Sequence, residues 1–325
     1  MRRSDFSRED FVNKLLLAAL ISGAMAVPAF SADYTIMAPA SPGGGWDQTA
    51  RSMQEALQAE GISGNVQVTN VGGAGGTIGL AQFVNQETGN PNALIVGGYV
   101  MVGAILTNQS PVTLANVTPI ARLTGEAVAV VVPDASDIQT MDDLVAKLKA
   151  NPGAVAWAGG SAGGADHITA GLIAKAVGVD PTQVNYIAYA GGGEALAALL
   201  GNQVTVGVSG ISEFASQIET GELRLLAVSS DERVPGVDGP TLMEAGVDVA
   251  LQNWRMIAAA PGITDEQKAA ISADIEKMAK SATWQSILAS KGWVDTYLAG
   301  DAFDAQLAAD ISATEAILKD IGLVQ

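Results

Sequence analysis

Cysteine is absent from this 325-residue chain, histidine occurs once, and aromatic residues make up only 5%. Without cysteine there is no disulfide framework, no thiolate nucleophile, no Cys-ligated zinc and no thiol for N-terminal lipid attachment. With His167 as the single histidine, no site built on several imidazoles exists. No metal and no cofactor is therefore expected. Basic residues are scarce as well: 17 Lys and Arg stand against 34 Asp and Glu, a formal charge of −17. That balance opposes nucleic acid, whose phosphates need a basic face, and gives no attraction to an anionic membrane surface. The shortage of aromatics leaves the core to Ala, Val, Ile and Leu. What is abundant is apolar character, at 48% of residues, and glycine, at 37 residues. The length fits one or two domains. Chemistry is confined to carboxylates, hydroxyls, a few Arg and the backbone.

Arg2, Arg3, Arg8 and Lys14 precede an apolar run from Leu15 to Ala29 that ends in small residues. A run of about 15 residues is short for a bilayer span. Basic residues followed by such a run read as a secretory signal peptide over residues 1–32, with cleavage after Ala29 or Ala32. A periplasmic location is expected, with no stable membrane insertion of the mature chain.

Further on, β-rich runs recur at 34–38, 66–70, 93–97, 127–132, 155–158, 185–189, 204–209 and 223–228. Helical patterns lie between them: Met53 and Leu57 after Trp46, then 141–149 and 168–177. Strands alternating with helices point to parallel βαβ units. The C-terminal part is helical, with a capping box at Thr264-Asp-Glu-Gln267 and a helix over 302–320. Glycine-rich turns cluster before residue 100 and again between 159 and 210, which suggests two α/β lobes sharing a cleft. The expected division is 33–130 plus 253–325 for the first lobe and 131–252 for the second. The crossings fall near 123–133 and 253–261.

Fourteen of the glycines fall in four strand-to-helix turns. The first runs through Pro42, Gly43, Gly44, Gly45, Trp46 and Asp47 into a helix. Glycine there permits positive φ and close backbone approach. The first N–H groups of the helix are unpaired and lie at the positive end of its dipole, so they form an anion site without a basic side chain. Asp47 is expected to cap this helix and to pair with Arg51, or to meet a ligand. The second turn is Asn70-Val-Gly-Gly-Ala-Gly75-Gly76-Thr77. Its glycine spacing mimics a dinucleotide fingerprint, but no acidic residue closes the next strand, and no Walker A sequence occurs.

The third turn, Gly159-Gly-Ser161-Ala-Gly163-Gly164-Ala-Asp166-His167, contains a formal GxSxG elbow. A serine hydrolase needs a base from a distant loop, and the sole histidine lies six residues on. Ser161 is therefore read as a hydroxyl donor beside a helix N-terminus, and His167 as either a helix-start residue or a ligand contact. The fourth turn is Tyr189-Ala-Gly191-Gly192-Gly193-Glu194, and Val208-Ser209-Gly-Ile-Ser-Glu213 follows. If all these turns sit at strand C-terminal ends, four or five helix N-termini converge where open α/β sheets bind ligands. The inference is a small ligand with several negative oxygens.

Together these motifs resemble the periplasmic receptors of tripartite tricarboxylate transporters, within the Bordetella-uptake-gene family. The similarity covers about 33–325. It implies a type II periplasmic-binding-protein fold, with two α/β lobes closing around a ligand cleft. It implies that Pro42–Asp47 and Gly75–Thr77 hold one ligand carboxylate. Ser161–His167 would meet its far end, and Tyr99 and Met101 would line the cleft. The chain departs from many relatives at Val71-Gly72, where Arg-Pro is common, and at Asn90-Pro-Asn92. The glycine triplets look closer to citrate-type receptors. The expected function is capture of a small di- or tricarboxylate, citrate first, by a monomer. Delivery would be to membrane permease subunits, with no bond chemistry. The alternatives are a secreted serine hydrolase using Ser161 and a ligand-binding subunit of a two-component sensor.

Overall fold

The computed structural model describes residues 32–325. The signal-peptide reading therefore lies outside the described residues, apart from Ala32. β1 (Ala32–Ala38) pairs in parallel with β2 (Ser63–Asn70) on one side and β3 (Ala93–Gly98) on the other. α1 (Gly45–Ala59) and α2 (Thr77–Glu87) make the crossovers, and α3 (Tyr99–Thr107) follows β3 directly.

β4 (Thr118–Pro133) then runs for 16 residues and takes part in two groups of strands. Its first part pairs antiparallel with β9 (Gln252–Ala259) and β10 (Val294–Ala299). Its last part pairs antiparallel with β7 (Val206–Gly210) and β8 (Leu223–Val228). In the second group β5 (Ala156–Gly159) lies parallel to β7 and to β6 (Asn185–Ala188). The path through the sheet is β2-β1-β3-β9-β4-β7-β5-β6.

The second group carries α4 (Met141–Ala150), α5 (Ala165–Ala176), α6 (Gly192–Leu200) and α7 (Ile211–Glu219). The C-terminal layer is α8 (Asp265–Ala279), α9 (Ala282–Lys291) and α10 (Gly300–Asp320).

Val128–Val132 is an unbroken buried run, as expected of a strand covered on both faces. α8 opens on the expected capping box: Gln267 N–H donates to Thr264 Oγ1, and Thr264 N–H donates to Gln267 Oε1. Ile271, Ile275 and Met278 form its buried face. Phe303, Leu307 and Leu318 do the same for α10, and Gly322, just past its end, has φ +75. No helix of the described residues is long and apolar enough to cross a membrane.

Several expectations are corrected. The sheet is mixed rather than parallel, because β4 and β9 run against their neighbours. The candidate crossing near 253–261 is made by strand β9, where no strand is expected. Strand β10 carries no clear alternation and was missed. β4 begins at Thr118 rather than 127; its first six residues, Thr-Pro-Ile-Ala-Arg-Leu, mix polar and apolar types and so do not read as a strand. α5 starts at Ala165, three residues before the apolar pattern suggests.

Candidate functional site

The strand-to-helix turns meet around a small cavity of about 50 Å³. First-turn residues of five helices line it: Gly45 and Trp46 of α1, Val100 of α3, Asp166 of α5, Gly192 of α6 and Glu213 of α7. Ser161, Ser209, Asn253 and Arg255 complete the wall. Each helix brings unpaired N–H groups and a partial positive charge.

Glycine serves here mainly as missing volume. Gly43 does take φ +85, but Gly44 (φ −70) and Gly191 (φ −179) are in conformations open to any residue. A methyl group at Gly45 would overlap the Arg255 guanidinium, and one at Gly192 would overlap the Glu213 carboxylate. Positive φ, which glycine permits throughout the first triplet, is taken by Gly43 alone. Close approach of side chains from β9 and α7 is the stronger requirement.

A buried charge network forms the floor. Arg255, 1% exposed, is paired with Glu126, 0% exposed, through Nη2 and Oε1. Glu126 Oε2 accepts from Ser212 Oγ–H at 2.7 Å and from Trp293 Nε1–H at 2.9 Å. The guanidinium lies 4.9 Å over the Trp293 ring, and Lys291 sits 5.3 Å from the same ring. Ser209 Oγ–H donates to Glu213 Oε1 at 3.1 Å, and Gly160 N–H donates to Asp166 Oδ2 at 2.7 Å. Three buried groups in this wall have no partner among the described residues: Arg255 Nη1, Glu213 Oε2 and Asn253 Oδ1.

Burial, reinforced by neighbouring carboxylates, pushes Glu213 up to about 8 and Asp166 up to about 7. A folded protein with such acids holds protons that the unfolded chain releases above about pH 4. The contribution of these two acids to stability is then highest on the acid side of this window. It falls as pH rises from about 4 toward 8 and levels beyond it. Urea midpoints measured from pH 5 to 8 are expected to decline, and Glu213→Gln is expected to reduce the decline. A wild-type midpoint that rises across this range would contradict the assignment.

The expected site residues divide into three groups. Gly44, Gly45, Trp46, Ser161, Asp166, Gly191, Gly192 and Ser209 line the cavity. Gly75, Ser161 and Tyr189 line an adjoining recess. A methyl on Gly76 would strike the Trp46 ring, and Met101 packs beside it, so these two stand behind the wall. Thr77 caps locally, its Oγ1–H donating to Ala74 O at 2.8 Å. Pro42 is exposed, and Gly164 is the N-cap of α5. Tyr99 is a core residue, its ring edge-on to Trp254 at 6.4 Å.

His167 Nδ1 accepts from Gly163 N–H at 3.2 Å, and its ring stacks on Tyr186 at 4.1 Å. Burial pushes it down to about 4, so it is neutral at pH 7. That nitrogen is already committed to the turn, which does not suit a base for Ser161.

Asp47 is not the N-cap: Gly44 is, and Asp47 lies in the first turn. Its carboxylate reaches back to Gly43 N–H at 2.8 Å and also accepts from Asn70 Nδ2 and Arg51 Nε, each at 3.0 Å. Burial pushes it up, but these donors outweigh burial and hold it below the usual carboxylate range. It braces the turn instead of facing the cavity. Asp47→Ala is expected to cost about 1–3 kcal/mol of stability by orphaning those donors. An unchanged urea midpoint would contradict this. The Asp47 contribution is present above the unfolded pKa and lost as pH falls through the folded one.

Sequence reading missed Arg255, Glu126, Asn253 and, as a singled-out residue, Glu213. The signal was present for two of them. Arg255 interrupts the apolar run Trp254-Arg-Met-Ile, and Glu126 interrupts Gly125-Glu-Ala-Val. A lone charge inside a buried strand needs a partner.

A family model described as tripartite tricarboxylate transporter family receptor matches residues 49–323. Protein BugT of Bordetella pertussis is 26% identical over 294 residues, covering 88% of each chain. A UPF0065 protein from the TAR-I ttuE-ttuC' intergenic region of Agrobacterium vitis is 26% identical over 230 residues, covering 70% of this chain. That match spans 65% of the relative's own length. Among solved structures, the periplasmic binding protein BugD superposes with a TM-score of 0.81 at 22% identity, covering 90% of this chain and 98% of that one. MatC (Rpa3494) from Rhodopseudomonas palustris with bound malate gives 0.79 at 21% identity, covering 88% and 98%. R. palustris Rpa4515 with adipate gives 0.78 at 21% identity, covering 90% and 98%. The fold is that of these periplasmic binding proteins.

Proposed function

Because the chain belongs to the tripartite tricarboxylate transporter receptor family, we propose that it captures a small di- or tricarboxylate in the periplasm and presents it to membrane permease subunits. The observation that carries this reading is the convergence of five helix N-termini on one cavity whose wall includes the cationic Arg255. Each helix end contributes roughly 0.3–1 kcal/mol toward an anion, more when partly buried. A handful of them with directed hydrogen bonds supports micromolar binding, about −8 kcal/mol. Malate and adipate in two structural neighbours support the carboxylate class, and citrate is the first compound to test.

The mechanism is capture by closure without bond chemistry. The lobes are 33–130 plus 253–325 and 131–252, and they hinge where β4 and β9 pass between them. The ligand holds the monomer closed through contacts made to both lobes. The test is a thermal-shift series with citrate, malate, succinate and adipate on the chain lacking residues 1–32. A ligand at 100 times its Kd stabilises by about 2.7 kcal/mol, so a rise in Tm is expected with at least one. A Tm unmoved by all of them, and by other C4–C6 carboxylates, would overturn the reading.

A further inference from the structure

One hydroxyl stands between two acids in the cavity wall. Ser209, near the end of β7, donates its Oγ–H to Glu213 Oε1 at 3.1 Å, and the same hydroxyl lies against the Asp166 carboxyl. Ser209 and Asp166 are buried, and all three residues line the cavity. A hydroxyl has one hydrogen to give. While it donates to one carboxylate it can only accept from the other, so the second acid bonds to it only in the protonated form. The trio is thus complete with one proton more than two ionised acids supply. No neighbouring charge removes that need. Arg255 of β9 is already paired with Glu126 of β4, which also accepts from Ser212 and Trp293. Glu194 of α6 is turned to Ala190 N–H and Ser41, and Asp47 of α1 to Arg51. Tyr186 of β6 gives its hydroxyl hydrogen to Gly160 O at 2.6 Å, and His167 of α5 is neutral at pH 7. Lys291 of α9 lies on the Trp293 ring and is absent from the cavity wall.

In a cavity of about 50 Å³ an anion cannot keep its distance from either acid. Repulsion from an ionised carboxylate a few ångströms away is as large as the attraction of several helix ends. We propose, resting on the receptor reading above, that capture is proton-linked: as the anion seats, the Asp166–Ser209–Glu213 trio takes up a proton from solvent, and it returns that proton when the ligand leaves. The anion raises the affinity of both acids for the proton, and by reciprocity the proton raises the affinity for the anion. Burial already pushes Glu213 up to about 8 and Asp166 up to about 7, which places the exchange just above neutral pH. Affinity is therefore highest at the low end of that range and falls as pH rises through it.

The test is isothermal titration of citrate, malate, succinate and adipate at pH 7.5 in two buffers of different ionisation heat. Affinities from pH 7 to 9 follow for each compound that binds. Net proton uptake is expected, with affinity about tenfold weaker at pH 9 than at pH 7, the change that a rise of about one pH unit in one acid produces. Variants assign the proton. Glu213→Gln and Asp166→Asn are each expected to lessen the uptake and flatten the pH dependence, whereas Lys291→Gln is expected to keep both. The wild-type measurement stands should either acid variant not fold. Binding without proton uptake, or an affinity that does not fall with pH, overturns the inference and leaves the receptor reading standing. Uptake undiminished in both acid variants does the same, since the proton then belongs to another group. If none of the four compounds and no other C4–C6 carboxylate binds, the receptor reading fails with it.

Discussion

Arg255→Ala is expected to lower the free energy of unfolding by about 3–5 kcal/mol, the range for breaking a buried ion pair from one side. The variant leaves Glu126 fully buried, with Ser212 and Trp293 as its remaining donors. It also opens a void against Trp293, over which the guanidinium is stacked. Urea unfolding at pH 7 measures the loss. A companion variant separates charge from volume: with Glu126→Gln added, part of the loss should return, because no uncompensated carboxylate is left. Wild-type stability in Arg255→Ala alone would mean that the pair does not form. Binding should fall in the same variant, since Arg255 lines the cavity.

Gly103→Ala is expected to weaken ligand binding about tenfold or more while leaving stability unchanged or raised. Gly103 lies within α3, where alanine is favoured over glycine by about 1 kcal/mol. Its added methyl, however, would overlap the backbone carbonyl oxygen of Gly163, in the turn before α5. Thr107 Oγ1, whose hydroxyl donates to Gly103 O at 3.0 Å, also lies 3.4 Å from Ala162 O, in the same turn. Under the proposed two-lobe closure, a wedge at this point penalises closure and not folding. Titration calorimetry gives the affinity and thermal melting gives the stability. Tight binding retained in this variant would show that closure does not bring α3 against the Gly163 turn. A large loss of stability would place Gly103 in the folding core instead.

Much of the cleft was legible because its makers are backbone groups marked by glycine. The turns before α1, α5 and α6 could be read as helix N-termini from Gly44-Gly45, Gly163-Gly164 and Gly191-Gly192 alone. Asp47 was legible as a partner of Arg51, since i,i+4 spacing sets that contact within one helix. Its turn toward Gly43 and Asn70 was not, because Asn70 arrives from another strand. Tyr99 and Met101 sit in the right segment, but helix phase turns them into the core, and the resemblance that singled them out carries no phase. Strand β9 was hidden because a run such as Asn253-Trp-Arg-Met-Ile has no alternation when both faces are buried.

The sequence by itself determined the alternation of strands and helices, the glycine-walled turns and the absence of cysteine, multi-histidine and basic-face chemistry. These depend on residue type and short spacing, which local sterics and composition express directly. The tertiary structure alone decided the mixed sheet and the meeting of Glu126, Asp166, Glu213 and Arg255. Strand direction and contacts between residues 40 to 129 positions apart depend on which surfaces pack together. No window of sequence records that burial, and burial is what pushes Asp166 and Glu213 up.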